Sequence, residues 1–294
     1  MPVQWTTFPM EFKGGLISNL TPLQQGTNAI GSATILQNFE SDREGGYSKL
    51  KGYTKFSNTA VPGTGDVLAM KVISSGRVVV ARKVNAAAIA AYGTLSSGDA
   101  DKTAYYHGTG SAWAHVGTSS STNTLKTRHA SFNFTQEDKT IFVDSKSFPI
   151  IFNSSGNTTV SLTASNSSDV QGAENVAVFK NHAFYSKGSK IFFTAPNTVD
   201  DFATGNGAGT INIGFDVTGM IGFRDQLIIF TTDTIKKLVG NTSSDFRLEP
   251  ITDRIGCINP DSIQEFGGDI AYLSPDGIRL LSATDRIGDL ALDI

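Results

Sequence analysis

The sequence predicts an all-β, β-propeller-like chain of about five four-stranded antiparallel blades preceded by an extended N-terminal arm, and three observations lead there. Helical periodicity is almost absent. Short runs of β-branched and aromatic residues alternate with Gly, Asn, Asp and Ser turns from Val67 onward. A three-strand meander recurs at about 42 to 44 residues, the range of four-stranded propeller blades. In 294 residues, 39% hydrophobic and 17% charged, the chain has material for a large core under a lightly charged surface.

The arm is assigned to residues 1–60, where GGL at 14–16, NLTPLQQGTNAIGSATILQNF and REGGYSKLKGYTKF differ in texture from the strand-rich remainder, and VPGTG at 61–65 reads as the linker. The propeller domain is assigned to residues 61–294. The first repeat is the loosest: VLAMKVI from Val67, RVVVA after Ser74-Ser75-Gly76, and AAIAAY are read as its strands. HASFNF from His129, TIFVD and FPIIF form the second, with TVSLT after Asn157 as its fourth strand. The clearest copy begins at Val176, with VAVF, HAFY and KIFFT joined by Lys180-Asn181 and SKGS, and INIGF from Ile211 closing it.

The next copy runs MIGF, QLIIFT, TIKKLV and FRLEPI. The last runs SIQEF, DIAYL and IRLL, with LALDI as its fourth strand. The weak alternation of QLIIFT is what a strand covered on both faces requires. Gly267-Gly268 suits a two-residue primed hairpin, and in SPDG the fixed φ of Pro275 and the tolerance of Gly277 for positive φ suit another tight turn. A β-sandwich with the same strand spacing is the competing architecture. The echo of ITDRIG (251–256) in ATDRIG (283–288) is off the blade period and reads as two connectors in which Asp and Arg pair across a turn.

A search for chemistry selects no catalytic, cofactor-binding or metal-binding residue. His107, His115, His129 and His182 form no compact ligand pattern, and the single Cys257 offers neither a disulfide nor a thiolate cluster, so it reads as core. GNGAGT at 205–210 lacks the full phosphate-loop pattern and no helix comes after it, which makes it a flexible inter-blade loop. Asp200, Asp201, Asp269, Asp276 and Asp285 supply carboxylates without singling out a pair, and SPDG matches only part of the Asp-box turn of sialidase-type propellers, Ile278 and Arg279 standing where that turn continues. The expectation is a protein that is not an enzyme. Lys49, Lys51 and Lys55 beside Tyr47 and Tyr53, Arg82-Lys83 and Lys236-Lys237 read as solvated strand faces. A net charge of −3 lacks the cationic excess that phosphate gripping requires. Residues 1–10 show no signal-peptide pattern and no stretch reaches the roughly 20 apolar residues of a membrane span, so a cytoplasmic site of synthesis is expected.

Two stretches carry a family resemblance. FKGGL (12–16), ILQNF ending at Phe39 and the Gly-Gly then KLKGYTKF run, together with FRDQLIIFTTDTIKKLVG (223–240) and RIGCINPDSIQEFGGDIAYLSPDGIRLLS (254–282), resemble the nozzle and packaged-DNA-stabilisation (tail tubular) structural proteins of short-tailed bacteriophages. The middle of the chain matches by strand rhythm alone. Family members often carry more basic residues before the glycine of the opening motif than Lys49-Leu50-Lys51-Gly52 does, and many are much longer. The resemblance implies a virion tail protein, made in the host cytoplasm, in a homohexameric ring next to adaptor, portal and fibre proteins. Packaged DNA would be retained and then ejected through the lumen without sequence-specific binding. A propeller that binds a host-surface glycan or protein is the alternative reading.

Overall fold

The computed structural model describes residues 14–19, 21, 23–24, 31–41, 46–122, 126–134, 137–156, 158–161 and 168–282. The chain divides into two compact units, Met1–Phe56 and Ser57–Ile294. In the first, β1 (Phe39–Ser41) pairs antiparallel with β2 (Tyr47–Lys49), and Leu16 bridges Ala33 in parallel. The Tyr47 hydroxyl accepts from the Gly15 amide, which ties the hairpin to the bridge.

The second unit is a series of sequential antiparallel meanders. Blade 1 contains β3 (Val67–Val72), β4 (Val78–Lys83), β5 (Lys102–Gly108) and β6 (Trp113–Thr122). Blade 2 contains β7 (Arg128–Phe134), β8 (Glu137–Val143), β9 (Ile150–Asn153) and β10 (Thr158–Ser161). Blade 3 contains β11 (Asn175–Phe179), β12 (His182–Lys187), β13 (Lys190–Phe193) and β14 (Gly209–Asn212). Blade 4 contains β15 (Val217–Phe223), β16 (Gln226–Thr231), β17 (Ile235–Val239) and β18 (Arg247–Thr252). Blade 5 shows three strands, β19 (Gln264–Phe266), β20 (Asp269–Ser274) and β21 (Gly277–Leu280). LALDI, expected as its fourth strand, and ATDRIG lie outside the described residues.

Each sheet is made of consecutive strands, so the architecture is propeller-like and not the two-sheet sandwich. Alternation within each second strand builds the stack. In β8, Phe142 packs toward blade 1 while Ile141 and Val143 pack toward blade 3. In β12, Ala183 and Tyr185 face blade 2 while Phe184 faces blade 4. In β16, Leu227 and Ile229 face blade 3 while Ile228 and Phe230 face blade 5. A strand with period-two side chains between two sheets must be apolar at every position, which is why QLIIFT shows little alternation. Burying one ring such as that of Phe184 contributes about 2 to 3 kcal/mol, so these interfaces are the principal apolar contribution to the stack.

One segment departs from its expected conformation. AAIAAY is not a strand: Ala86–Ala91 form helix α1, and blade 1 takes its third strand from 102–108. Alanine has the highest helix propensity, and the Asn85 side chain accepts from the Ala88 amide at 3.1 Å to cap the first turn. The helix lays Ala88 against Val84, Ala104 and Tyr106 on the face of blade 1 turned away from blade 2.

Two hairpins confirm their turn chemistry. Gly267 and Gly268 have φ of 61° and 81°. Gly277, paired with Ser274 at the end of SPDG, has φ of 129°, a conformation that β-carbons disfavour.

Candidate functional site

The first strands of blades 2, 3 and 4 and the segment leading into blade 5 converge on one cavity of about 300 Å³. Its polar side chains are Arg128 and His129 from β7, Thr127 just before it, Asn175 from β11, and Asp261 and Gln264. Val176, Met220, Ile221 and Ile263 supply its aliphatic wall. A β-carbon at Gly219 would lie 2.3 Å from Ile263 Cδ1, so a larger residue there would displace the end of that side chain.

Asp261 is placed by local sequence. Asn259 caps a short 3-10 helix over Pro260–Ser262, its side chain accepting from the Asp261 amide at 3.0 Å. That turn delivers the carboxylate to two cations at the entry to blade 2: Lys126 Nζ, from the segment before β7, lies 3.0 Å from Oδ2 and Arg128 Nε lies 3.4 Å from Oδ1. Arg128 also donates from Nη1 to the Glu174 carbonyl at 3.2 Å, while its buried Nε has no aligned acceptor. Beside this cluster the Glu174 carboxyl is pushed above its ordinary range, first by burial and then by Asp216. His129 is pushed below the ordinary histidine value by burial and by Lys71.

The wall therefore offers donors and acceptors beside methyl-bearing surface. Its carboxylate is held by two cations, an arrangement suited to orienting a ligand.

The residues weighed from sequence fall mostly in structural positions. His107 Nδ1 meets the Gly156 carbonyl at 2.9 Å, joining blades 1 and 2. His115 sits between Thr94 and Thr118 hydroxyls, each at 2.9 Å. His182 is buried against Phe184, Phe193 and Phe246, bonded to the Thr194 carbonyl. Only His129 reaches the cavity. Cys257 is buried in the core between blades 4 and 5. Among the described residues no group of three His, Cys, Asp or Glu side chains is placed to hold a metal ion.

GNGAGT is not an inter-blade loop. It lies within blade 3, where a 3-10 turn over Thr204–Asn206 leads into β14. Asp201 serves that turn, accepting from Ala203 N at 2.9 Å and Asn206 Nδ2 at 2.8 Å. Asp269 accepts from the Ile270 amide at 2.8 Å and from Ser282, and Asp276 pairs with Arg279. Asp285 lies outside the described residues. The basic pairs are engaged locally: Arg82 donates to the Val61 and Gly65 carbonyls, Lys83 meets Asp101 at 3.0 Å, Lys236 donates to the Ile213 carbonyl and Lys237 lies 3.5 Å from Glu249. In the N-terminal unit Lys51, Tyr53 and Lys55 are exposed. No described helix is long and apolar enough to cross a membrane.

No family model matches the chain, and no curated protein matches it. Solved structures do. The extracellular domain of the putative one component system BT4673 from B. thetaiotaomicron aligns at 8% identity over 75% of this chain and 27% of that one, with a TM-score of 0.49. A glucose dehydrogenase aligns at 10% identity over 82% of this chain and 88% of that one, with a TM-score of 0.42. BBS1N, crystallised in complex with ARL6DN, aligns at 9% identity over 80% and 68%, with a TM-score of 0.44. The chain thus spans about a quarter of the length of the BT4673 domain.

Proposed function

We propose that this chain is a binding propeller that recognises a surface glycan or protein at its central cavity and performs no chemistry on it. The reading rests on the Arg128–Asp261–Lys126 cluster at the convergence of the first strands, set beside the aliphatic side chains of Met220 and Ile263. Polar groups fixed by their own partners, next to apolar surface in a concave site, orient a ligand at low entropic cost. The test is binding of the intact chain and of Arg128→Ala to immobilised panels of glycans and purified surface proteins, with the bound molecule recovered for mass analysis. Selective binding that weakens at least tenfold in the variant, with the ligand recovered intact, is the expected result. Absence of any selective ligand, or recovery of a cleaved one, would overturn the reading.

A second reading is a tail nozzle ring component, favoured by the resemblance of residues 11–56 and 220–282 to that family. Its distinguishing result is incorporation into tail particles at a fixed copy number.

A further inference from the structure

The second strand of blade 2 closes on a tight turn held by a buried carboxylate. Asp144, 2% exposed, accepts at Oδ1 from the Lys146 amide at 3.0 Å and the Ser147 amide at 2.6 Å. Blade 4 builds the same turn without a charge: Thr231 Oγ1 accepts from the Asp233 amide at 3.3 Å and the Thr234 amide at 2.9 Å. One oxygen therefore suffices for the turn, and the second oxygen of Asp144 is surplus to it. That oxygen, Oδ2, is buried without a hydrogen-bond partner, and among the described residues no Lys, Arg or His pairs with the carboxylate.

The strand ladder fixes what lies beside it. Arg128 pairs with Val143, so one step further along the register Thr127 stands opposite Asp144. Period-two alternation turns both toward blade 1, the side taken by Phe142, whose ring lies 5.7 Å from that of Tyr105. Thr127 is 5% exposed, and its Oγ1 is a second buried oxygen without an aligned partner. The Tyr105 hydroxyl belongs to the same group, with Thr127 beside it. Burial and then the Asp144 charge push its pKa up, so it keeps its proton and offers a lone pair.

We propose that Asp144 Oδ2, Thr127 Oγ1 and the Tyr105 hydroxyl bind a monovalent alkali cation at the junction of blades 1 and 2. A carboxylate taken out of water is strongly disfavoured unless a charge or metal ion compensates it. A water molecule would supply hydrogen bonds and leave the charge, whereas a cation answers both demands. Donors that are all oxygen suit a hard cation, and one carboxylate balances one positive charge. With a single acidic side chain the site is distinct from the clusters of three His, Cys, Asp or Glu groups that hold divalent metals, of which the described residues show none. This goes beyond recognition at the central cavity and holds whether or not that cavity has a ligand.

The test is thermal unfolding of the full chain in sodium, potassium and choline chloride at equal ionic strength, choline being too large for a buried site. The melting midpoint is expected to be about 2 to 4 °C higher in at least one alkali chloride than in choline chloride, saturating with concentration as binding to the folded state requires. Asp144→Thr places at this turn the residue type that blade 4 uses there, and is expected to fold and to melt at one midpoint in all three salts. If that variant does not melt cooperatively, Thr127→Val carries the test, with saturation expected at a cation concentration at least tenfold higher. Equal wild-type midpoints in the three salts, a cation effect that persists in Asp144→Thr, or unchanged saturation in Thr127→Val overturns the proposal.

Discussion

Arg128 of blade 2 and Asp261 in the lead-in to blade 5 meet at 3.4 Å, so residues far apart in sequence share the wall of one cavity. Their side chains are 27% and 33% exposed, which limits the pair's contribution through solvent screening. A double-mutant cycle with Arg128→Ala and Asp261→Ala should therefore give a coupling of about 0.5 to 1 kcal/mol, falling as salt is raised. Urea midpoints at low and high salt measure it.

Burial separates two isoleucines of the same chemistry. Ile229 is fully buried between blades 3 and 4, whereas Ile278 is 82% exposed. Ile229→Ala should cost about 2 to 5 kcal/mol and Ile278→Ala within about 0.5 kcal/mol, read from chemical denaturation under dilute conditions that exclude self-association.

The turn at Gly277 isolates backbone strain from packing. Nothing lies within 4 Å of a β-carbon built there, yet φ is 129°. Gly277→Val should destabilise by about 1 to 3 kcal/mol through the backbone alone. An unchanged melting temperature would contradict the turn assignment.

Most of the blade pattern is legible in the sequence because a second strand between two sheets needs apolar residues on both faces, as TIFV, HAFY and QLIIF show, while DIAYL is fully buried only at alternate positions. AAIAAY misleads because an apolar run alone does not separate strand from helix, and the alanine content and the Asn85 cap decide it. The cavity is not legible as a motif. Arg128, Asn175 and Asp261 lie at or just before the first strands of three different blades, so no local spacing connects them. Superposing the repeats by strand order is the available signal. First strands begin at Arg128, Asn175, Val217 and Gln264, and the polar residues cluster near these starts.

Glu174 gives a pH dependence of definite sign. Its carboxyl is raised above the ordinary 4.5 by burial and by Asp216, so the folded chain holds this proton more tightly than the unfolded one. The associated stability is fully present below the unfolded value and is lost as pH rises through the folded one. Glu174→Gln should remove this component, flattening the fall in denaturation midpoint across the interval just above pH 4.5 relative to the wild type.

Recognition at the central cavity is tested most directly by methyl NMR of Met220 and Ile263 during titration with a ligand selected from the glycan and protein panels. Saturable shifts at both methyl groups, lost in Arg128→Ala, with the ligand unaltered at the end of the titration, are the expected result. Shifts confined to residues away from the cavity, or conversion of the ligand to product, would contradict it.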